Sequence, residues 1–202
     1  VETAPANAKE IRPRNPMFYH APVLLDDSTL LVGSYNNRMF TINLNTGNAE
    51  DFFISARNRW IAKPLLVDGT VYAPNANGTL YALALNGSEK WAFETNAAIW
   101  ATPVVDDNRV FMVSQDHFLY ALNAATGDLI WTLDLGTASV NSPVLDENGV
   151  LYIGTFGSKL YAIDSTRGTI LWEVETLDWI WGSPVLGPDR MLFVTDLSAN
   201  LY

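Results

Sequence analysis

Short apolar stretches alternate with turn residues along this chain, and the same order of stretches returns several times. The clearest copy spans residues 139–174, where β-branched and aromatic runs at 150–155 and 159–164 are bounded by glycine, serine and acidic residues. Runs of this length and composition are typical of strands, because they are too short to form helices. We therefore predict an antiparallel meander in this segment.

The turns between these strands also recur. Phe156-Gly157-Ser158 in this copy corresponds to Asn77-Gly78 in an earlier one, and Asn-Gly favours a tight hairpin because both positions tolerate positive φ. A second turn ends on a glycine in four copies, at Gly47, Gly87, Gly127 and Gly168. A fourth strand follows this glycine, so each copy is predicted to contain four strands.

The spacing of the copies predicts how they assemble. A proline opens each copy, at Pro22, Pro64, Pro103, Pro143 and Pro184. The steps of 42, 39, 40 and 41 residues match a four-stranded propeller blade. A single sheet of this size cannot shield both faces from water, so such units stack around an axis. We predict an all-β propeller of four-stranded antiparallel blades, with about four and a half blades present.

The repeat also divides the chain. The predicted units are a leader or the tail of a preceding outer strand at 1–17, a degenerate blade 1 at 18–58, blade 2 at 59–97, blade 3 at 98–137, blade 4 at 138–178 and a partial blade 5 at 179–202. Blade 1 departs most from the pattern, because Asp51 stands where the later copies have tryptophan. Three tryptophans follow the turn glycine by four residues, at Trp91, Trp131 and Trp172. We assign them to docking between blades, because an indole is the largest apolar group that a blade offers to its neighbour.

Composition narrows the function. The 202-residue chain is 49% hydrophobic, but it contains no apolar stretch as long as a membrane helix requires. A formal net charge of −10, with only 12 scattered Lys and Arg residues, argues against a nucleic-acid partner. Because cysteine is absent, neither a disulfide nor a thiolate metal site can form.

Catalytic signatures are missing from the sequence. It contains no zinc-protease, hydrolase, Walker-type or dinucleotide-binding motif. His117 stands at a predicted hairpin turn, and the acidic pairs in the first turn of several units suit capping of the turn's own amides. We assign no catalytic residue and no metal ligand, and the chain is more consistent with a non-catalytic role than with an enzyme.

Two segments carry a family resemblance. The sequences LYALNAATGDLIW at 119–131 and LYAIDSTRGTILW at 160–172 resemble the PQQ-type β-propeller repeat, and the resemblance covers nearly the whole chain after Pro16. Complete rings of this family have seven or eight blades, so we expect further blades before Val1, after Tyr202 or in both directions. Because the fold serves unrelated functions, the resemblance alone leaves the function open.

The resemblance implies three alternatives. The first is a BamB-like, non-catalytic scaffold that binds a protein partner outside the cytoplasm, in the periplasm, at the cell surface or as a secreted protein, and needs no cofactor. The second is a fragment of a quinoprotein dehydrogenase that binds pyrroloquinoline quinone with calcium. Its alcohol-dehydrogenase branch has a vicinal disulfide that this chain lacks, and its calcium ligands match no position here. The third is the sensing ectodomain of a membrane receptor or kinase.

In this family the proline-led strand is innermost, so residues just before each proline are expected at one mouth of the central channel. Large or polar side chains occupy these positions at Tyr19, His20, Trp60, Trp100, Asn141 and Trp181. Amphipathic aromatics at a channel mouth can hold a flat cofactor, a sugar or a peptide, or can plug the channel by packing. We predict that these six residues are the candidate ligand-binding positions.

Overall fold

The computed structural model describes residues 18–55 and 58–202, and this part of the chain is nearly all β-structure. Four antiparallel four-stranded sheets follow one another, and within each sheet the strands pair in sequence order. The predicted propeller of four-stranded antiparallel blades is confirmed. Residues 1–17, for which a leader or a preceding outer strand is predicted, lie outside the described residues.

The strands are short. Blade 1 contains β1 (Val23–Asp26), β2 (Thr29–Gly33), β3 (Arg38–Asn43) and β4 (Ala49–Ile54). Blade 2 contains β5 (Leu65–Val67), β6 (Thr70–Pro74), β7 (Thr79–Ala84) and β8 (Glu89–Glu94). Blade 3 contains β9 (Val104–Val105), β10 (Arg109–Val113), β11 (Phe118–Asn123) and β12 (Leu129–Asp134). Blade 4 contains β13 (Val144–Leu145), β14 (Val150–Gly154), β15 (Lys159–Asp164) and β16 (Thr169–Glu175).

The fifth unit is smaller. It contains β17 (Val185–Leu186) and β18 (Leu192–Phe193), which pair antiparallel, and a 3₁₀ turn at Pro188–Arg190. An isolated bridge joins Thr195 to Leu201. The described part of the chain contains no helix long and apolar enough to cross a membrane.

The hairpins between the second and third strands share one backbone feature. A residue with positive φ stands at the same place in each of the four blades, at Asn37 (65°), Gly78 (92°), His117 (80°) and Ser158 (56°). Among residues other than glycine, asparagine and histidine are enriched in this region of backbone space. His117 is therefore a turn residue, as predicted from its position in the repeat.

Two tryptophans join consecutive blades. The Trp91 indole N–H donates to the Ala124 carbonyl of blade 3 (3.0 Å), and the Trp131 indole N–H donates to the Ser165 carbonyl of blade 4 (3.1 Å). Each ring also covers the turn glycine of the next blade. A Cβ at Gly127 would lie 2.7 Å from the Trp91 ring, and one at Gly168 would lie 2.6 Å from the Trp131 ring. Only glycine allows this approach, and both glycines also have positive φ.

Trp172 occupies the same place in blade 4 but has a different environment. It packs against Tyr152 of its own blade, with ring centroids 5.9 Å apart. Its exposed fraction is 42%, compared with 7% for Trp91. No indole hydrogen bond of Trp172 is found within residues 18–55 and 58–202. The three tryptophans therefore share a register but not a contact.

Blade 1, which has Asp51 in place of this tryptophan, also has a different bulge in its outer strand. In blade 1 the pairing of β3 with β4 shifts between Met39 and Phe40. In blade 3 the pairing of β11 with β12 shifts between Ala121 and Leu122, which is two positions further along the third strand. The register change alters which side chains face the neighbouring blade. Asp51 pairs with Arg38 at 2.6 Å, and the backbone carbonyl of Phe52, rather than an aromatic ring, lies closest to the turn glycine Gly87 of blade 2.

The hydrophobic core is divided among the blade interfaces. One cluster combines Leu31 and Met39 of blade 1 with Val71 and Leu83 of blade 2. Equivalent clusters join blade 2 to blade 3 and blade 3 to blade 4, and a smaller one joins Leu160 of blade 4 to the fifth unit. Stability is thus supplied mainly by contacts between neighbours, as in other repeat proteins.

Side-chain hydroxyls link the innermost strands. These hydroxyls belong to residues that stand just before a proline. Thr102 Oγ1 donates to the Lys63 carbonyl (2.9 Å), and the Thr102 amide donates to Ser142 Oγ (3.0 Å). The Ser142 amide in turn donates to Ser183 Oγ (2.9 Å). This chain of bonds connects blades 2 to 5, and it explains why Thr or Ser precedes the prolines at 103, 143 and 184.

Candidate functional site

One end of the blades carries two loops per blade, namely the loop that enters the innermost strand and the hairpin between the second and third strands. A backbone hydrogen bond joins the two loops, as from the Ala76 amide to the Arg59 carbonyl at 3.0 Å. Equivalent bonds run from Gln115 to Ala98, from Phe156 to Ala138 and from Leu197 to Trp179. We call this surface the rim. Because these bonds recur, the rim presents side chains on an equivalent backbone in blades 2 to 4 and in the fifth unit.

Three of the six predicted mouth residues are exposed at the rim. They are Tyr19, Trp100 and Trp181, with exposed fractions of 70%, 38% and 52%. Tyr19 and Trp100 line the same cleft, whereas Trp181 belongs to a separate aromatic cluster in the fifth unit. The structure therefore divides these three residues between two places on the rim.

Trp60 lies elsewhere. It is 1% exposed and packs in the core against Tyr81 and Phe53, with ring centroids 5.7 Å and 6.1 Å away. It stands one residue further from its proline than Trp100 does, and successive residues of an extended chain point to opposite sides. This placement corrects the expectation that Trp60 faces the channel mouth. The equivalent residues Ile99 and Ile180 are buried as well.

His20 and Asn141, both two residues before a proline, hold the adjoining strands together. Asn141 is buried, and its amide Nδ2 donates to the carbonyls of Gly154 (2.8 Å) and Ile180 (3.0 Å). His20 Nε2 accepts from the Gly33 amide at 3.2 Å, while Nδ1 donates to the Ala21 carbonyl at 2.8 Å. Burial lowers the pKa of His20, and the nearby Lys63 adds to this effect. Neither side chain is presented to a ligand at the rim.

An aromatic stack lies at the rim between blade 4 and the fifth unit. Phe156 of the blade 4 hairpin is stacked on Trp179 and on Trp181, with centroid distances of 5.4 Å and 5.2 Å and interplanar angles of 27° and 23°. Trp179 and Trp181 remain about half exposed, at 49% and 52%, and Leu177 beside them is 81% exposed. We call Phe156, Trp179 and Trp181 the aromatic stack. Exposed apolar groups of this size clustered together mark interaction surfaces.

A cleft lies at the rim between blades 1, 2 and 3. Its volume is about 320 Å³, and its walls include Tyr19, Tyr35, Arg59, Ile61 and Trp100. The Arg59 guanidinium lies 4.4 Å above the centre of the Tyr35 ring and donates to the Tyr35 hydroxyl. We call this site the arginine cleft.

The stack and the cleft occupy equivalent positions in the repeat. Tyr35 and Phe156 are both the first residue of the hairpin that is not fully buried, and Arg59 and Trp179 both stand five residues before a proline. Sequence reasoning missed all four residues, because their hairpin-to-loop contacts join segments far apart along the chain. The one available signal was their place in the repeat, where the other blades have Ala76 and Gln115 or Ala98 and Ala138.

The acidic first turns cap their own amides. Asp146 accepts from the amides of Asn148 (2.9 Å) and Val150 (2.8 Å). Although burial raises the pKa of Asp146, these hydrogen bonds outweigh it and hold the pKa below its ordinary value. In blade 3, Asp106 pairs with Arg109 at 2.6 Å, and Arg109 Nη1 donates to the Ser165 carbonyl of blade 4 at 2.6 Å. These acids thus stabilise turns and a blade interface.

The described residues include no group of three or more histidine, cysteine, aspartate or glutamate side chains arranged to hold a metal ion. A quinone cofactor with calcium would require hard oxygen ligands around the cation. Around the channel, Thr102, Ser142 and Ser183 are engaged in hydrogen bonds to neighbouring strands. In this part of the chain those three hydroxyls therefore connect neighbouring strands.

Comparison with known proteins agrees with this architecture. The family model described as "Outer membrane protein assembly factor BamB" matches residues 8–99, 55–178 and 119–200. The BamB protein of Escherichia coli K12 is 38% identical over 93 residues, which cover 45% of this chain and 23% of that protein. The quinoprotein alcohol dehydrogenase PedH of Pseudomonas putida is 34% identical over 79 residues, covering 38% of this chain and 13% of the enzyme.

The crystal structure of BamB from Moraxella catarrhalis superposes with a TM-score of 0.72 at 19% identity, over 87% of this chain and 58% of that one. At this identity the superposition shows a shared fold. The chain spans about a quarter of the E. coli relative's length. Since the family model matches most of the sequence, the chain belongs to the PQQ-type β-propeller repeat family that includes the outer membrane protein assembly factor BamB.

Proposed function

We propose that this chain is a non-catalytic scaffold that binds a protein partner through its rim, outside the cytoplasm. The observation that carries the proposal is the aromatic stack. Two half-exposed tryptophans flank one phenylalanine, on a surface where the equivalent positions of blades 2 and 3 carry no aromatic pair. Aromatic residues are enriched at the centres of protein interfaces, where they supply much of the binding energy.

The stack is well prepared for binding. Its rings are already stacked against each other, so little side-chain freedom would be lost when a partner covers them. The backbone is fixed by the bond from the Phe156 amide to Ala138 and by the bond from the Leu197 amide to Trp179. A preorganised aromatic patch on a rigid sheet scaffold is the arrangement that favours tight association.

The relatives support the class of partner and the compartment. The E. coli protein is named as an outer membrane protein assembly factor, so we infer for this chain a protein partner belonging to outer-membrane assembly, and a periplasmic location. The chain's formal charge of −10 is consistent with a protein partner rather than a nucleic acid.

Site-specific cross-linking tests this role. The chain is exported to the periplasm of E. coli with a photoreactive phenylalanine analogue at position 181, or at position 130 as a control. Ile130 is also about half exposed, but it lies on the outer strand β12. We expect a discrete cross-link from position 181 to a protein of the outer-membrane assembly machinery and none from position 130. The same products from both positions, or none from position 181, would contradict the proposal.

The similarity to PedH makes a quinoprotein fragment the second candidate. The chain is titrated with pyrroloquinoline quinone in the presence of calcium while tryptophan fluorescence is recorded. Trp100 and Trp181 are exposed and would report binding at the channel mouth. Under the scaffold proposal no saturable quenching is expected, whereas saturable quenching that requires calcium would favour the dehydrogenase alternative.

A further inference from the structure

The arginine cleft contains a cation, Arg59, that forms no ion pair with an acidic side chain in the part of the chain that the structure describes. Among the described residues no carboxylate lies within salt-bridge distance of Arg59. Its recorded contacts are the Tyr35 hydroxyl and the face of the Tyr35 ring. A guanidinium has five N–H donors in a planar fork, so donors remain for a further partner.

Tyr35 holds this guanidinium in place. Stacking on the ring face and the hydrogen bond to the hydroxyl act on the same group, and together they restrict the rotation of a long side chain. The Arg59 backbone is fixed as well, because its carbonyl accepts from the Ala76 amide at 3.0 Å. An arginine oriented before binding loses less freedom when it pairs with an anion.

The rest of the cleft is mainly aromatic and aliphatic. Trp100 and Tyr19 are exposed aromatic walls, and Ile61, Ala76 and Ala98 add aliphatic surface. The one other polar side chain in the lining is Asn58, whose amide donates to the Ala76 carbonyl at 3.2 Å. The volume of about 320 Å³ lies at the small end of the range for small-molecule sites, about 300–1,000 Å³. A cleft with apolar walls and a single oriented cation selects a ligand with an apolar part and one anionic group.

The repeat provides an internal comparison. At the equivalent seam of the fifth unit, Trp179 replaces Arg59 and Trp181 replaces Ile61, so the same backbone carries a fully aromatic cluster. The cation is therefore particular to the cleft and is not required by the fold.

We propose that the arginine cleft binds a carboxylate attached to an aromatic or aliphatic group. Arg59 pairs with the carboxylate through its free N–H donors, and Trp100 and Tyr19 pack against the apolar part. The ligand comes either from a small carboxylic acid or from an acidic residue beside an apolar one in a polypeptide. The site is separate from the aromatic stack and does not depend on the scaffold role proposed above.

The test compares a carboxylate with its neutral isostere. The 202-residue chain is titrated with phenylacetate or with phenylacetamide, and the indole N–H resonance of Trp100 is followed by NMR. We expect phenylacetate to bind about ten-fold more tightly, because a hydrogen-bonded charge is lost in the amide. In Arg59→Gln this preference should disappear, while Trp179→Ala, the matched change at the equivalent seam, should retain it.

Two results would overturn the proposal. One is an equal affinity for phenylacetate and phenylacetamide in the parent chain, and the other is an undiminished preference in Arg59→Gln. Circular dichroism confirms that the variant is folded, and Arg59→Lys, which keeps the charge without the planar fork, should recover part of the preference. Loss of the cross-link at position 181 with intact phenylacetate binding would remove the scaffold role alone.

A second arm identifies the source of the carboxylate. A peptide with blocked ends and an internal Asp-Phe pair is compared with phenylacetate. Tighter binding of the peptide indicates a polypeptide ligand, because neighbouring backbone contacts then add to affinity. Tighter binding of phenylacetate indicates a small acid. Both outcomes require Arg59 if the proposal holds.

Discussion

Neighbouring blades meet at two places, the tryptophan contact of the outermost strand and the rim. The tryptophan contact is repeated with the same chemistry, whereas the side chains at the rim differ from one interface to the next. At the outer end, Trp91 and Trp131 make the same two contacts, covering a turn glycine and donating to a carbonyl of the next blade. At the rim, equivalent positions carry an arginine on a tyrosine at one seam and two tryptophans around a phenylalanine at another.

This difference separates the roles of the two regions. A contact that is repeated with the same chemistry supports the stacking of one blade on the next, which every blade requires. Side chains that change from seam to seam on an unchanged backbone are free of that requirement. We therefore interpret the outer contacts as the source of stability and the rim as the source of binding, and each prediction below tests one side of that division.

The largest loss of stability is expected at the tryptophan contact between blades 3 and 4. Trp131→Ala should lower the free energy of unfolding by about 3 kcal/mol, because it removes a packed indole and its hydrogen bond to Ser165. The matched change Trp172→Ala, at an indole that is 42% exposed, should cost less than about 1 kcal/mol. Urea denaturation measures both. Equal losses would show that the Trp131 contact has no special weight.

The glycine beneath the indole should come next. In Gly168→Ala the new Cβ would lie 2.6 Å from the Trp131 ring, so strain and lost packing should together cost about 2 kcal/mol or more. Gly47→Ala is the control, because its φ of +73° is similar but nothing lies within 4 Å of the new Cβ. It should cost only about 1 kcal/mol from the left-handed backbone. The same unfolding experiment would refute the close-packing account if the two variants lost equal stability.

A smaller, pH-dependent effect is expected at His20, whose imidazole is bonded to the Gly33 amide and the Ala21 carbonyl. Burial and the Lys63 charge lower the pKa of His20 below 6.5 in the folded chain, so the unfolded chain binds the proton more readily. The stability contributed by neutral His20 is full above pH 6.5 and is lost as the pH falls towards the folded-state pKa. His20→Gln should therefore flatten the stability profile between pH 7 and 5. An unchanged slope would exclude His20 as its source.

The smallest effect on stability is expected at the rim. Replacing both Trp179 and Trp181 with alanine should change the free energy of unfolding by less than about 1 kcal/mol, since both side chains are about half exposed. Thermal and urea unfolding measure this. A loss as large as that of Trp131→Ala would move the aromatic stack into the structural class and remove the division between rim and outer contact.

Much of the fold could be predicted because the repeat places prolines, glycines and tryptophans in one register. Each marker has a local reason, such as the positive φ of Gly127 and Gly168. The blade 1 bulge could not be predicted, because a shift of two residues leaves the apolar pattern around Phe52 and Phe53 unchanged. The register became visible only through its pairing, in which Phe40 faces Asp51.

The rim was less accessible to sequence reasoning. Counting back from the prolines selected Tyr19, Trp100 and Trp181, which are exposed, but the same count misplaced Trp60, which stands one residue further from its proline and is buried in the core. Arg59 and Phe156 acquire their meaning from partners in other loops. No local pattern encodes such contacts, which depend on how the blades pack.

The most direct test of the separation between binding at the rim and stability at the outer contacts compares exposed tryptophans at the two places. Trp179 and Trp181 lie at the rim, and Trp172 lies on the outer strand β16. The chain is purified from the E. coli periplasm, and the co-purified outer-membrane assembly proteins are quantified for the parent, for the Trp179→Ala, Trp181→Ala double variant and for Trp172→Ala. The account predicts that the double variant loses these proteins while remaining as stable as the parent, and that Trp172→Ala retains them. Retention by the double variant together with loss by Trp172→Ala would contradict it.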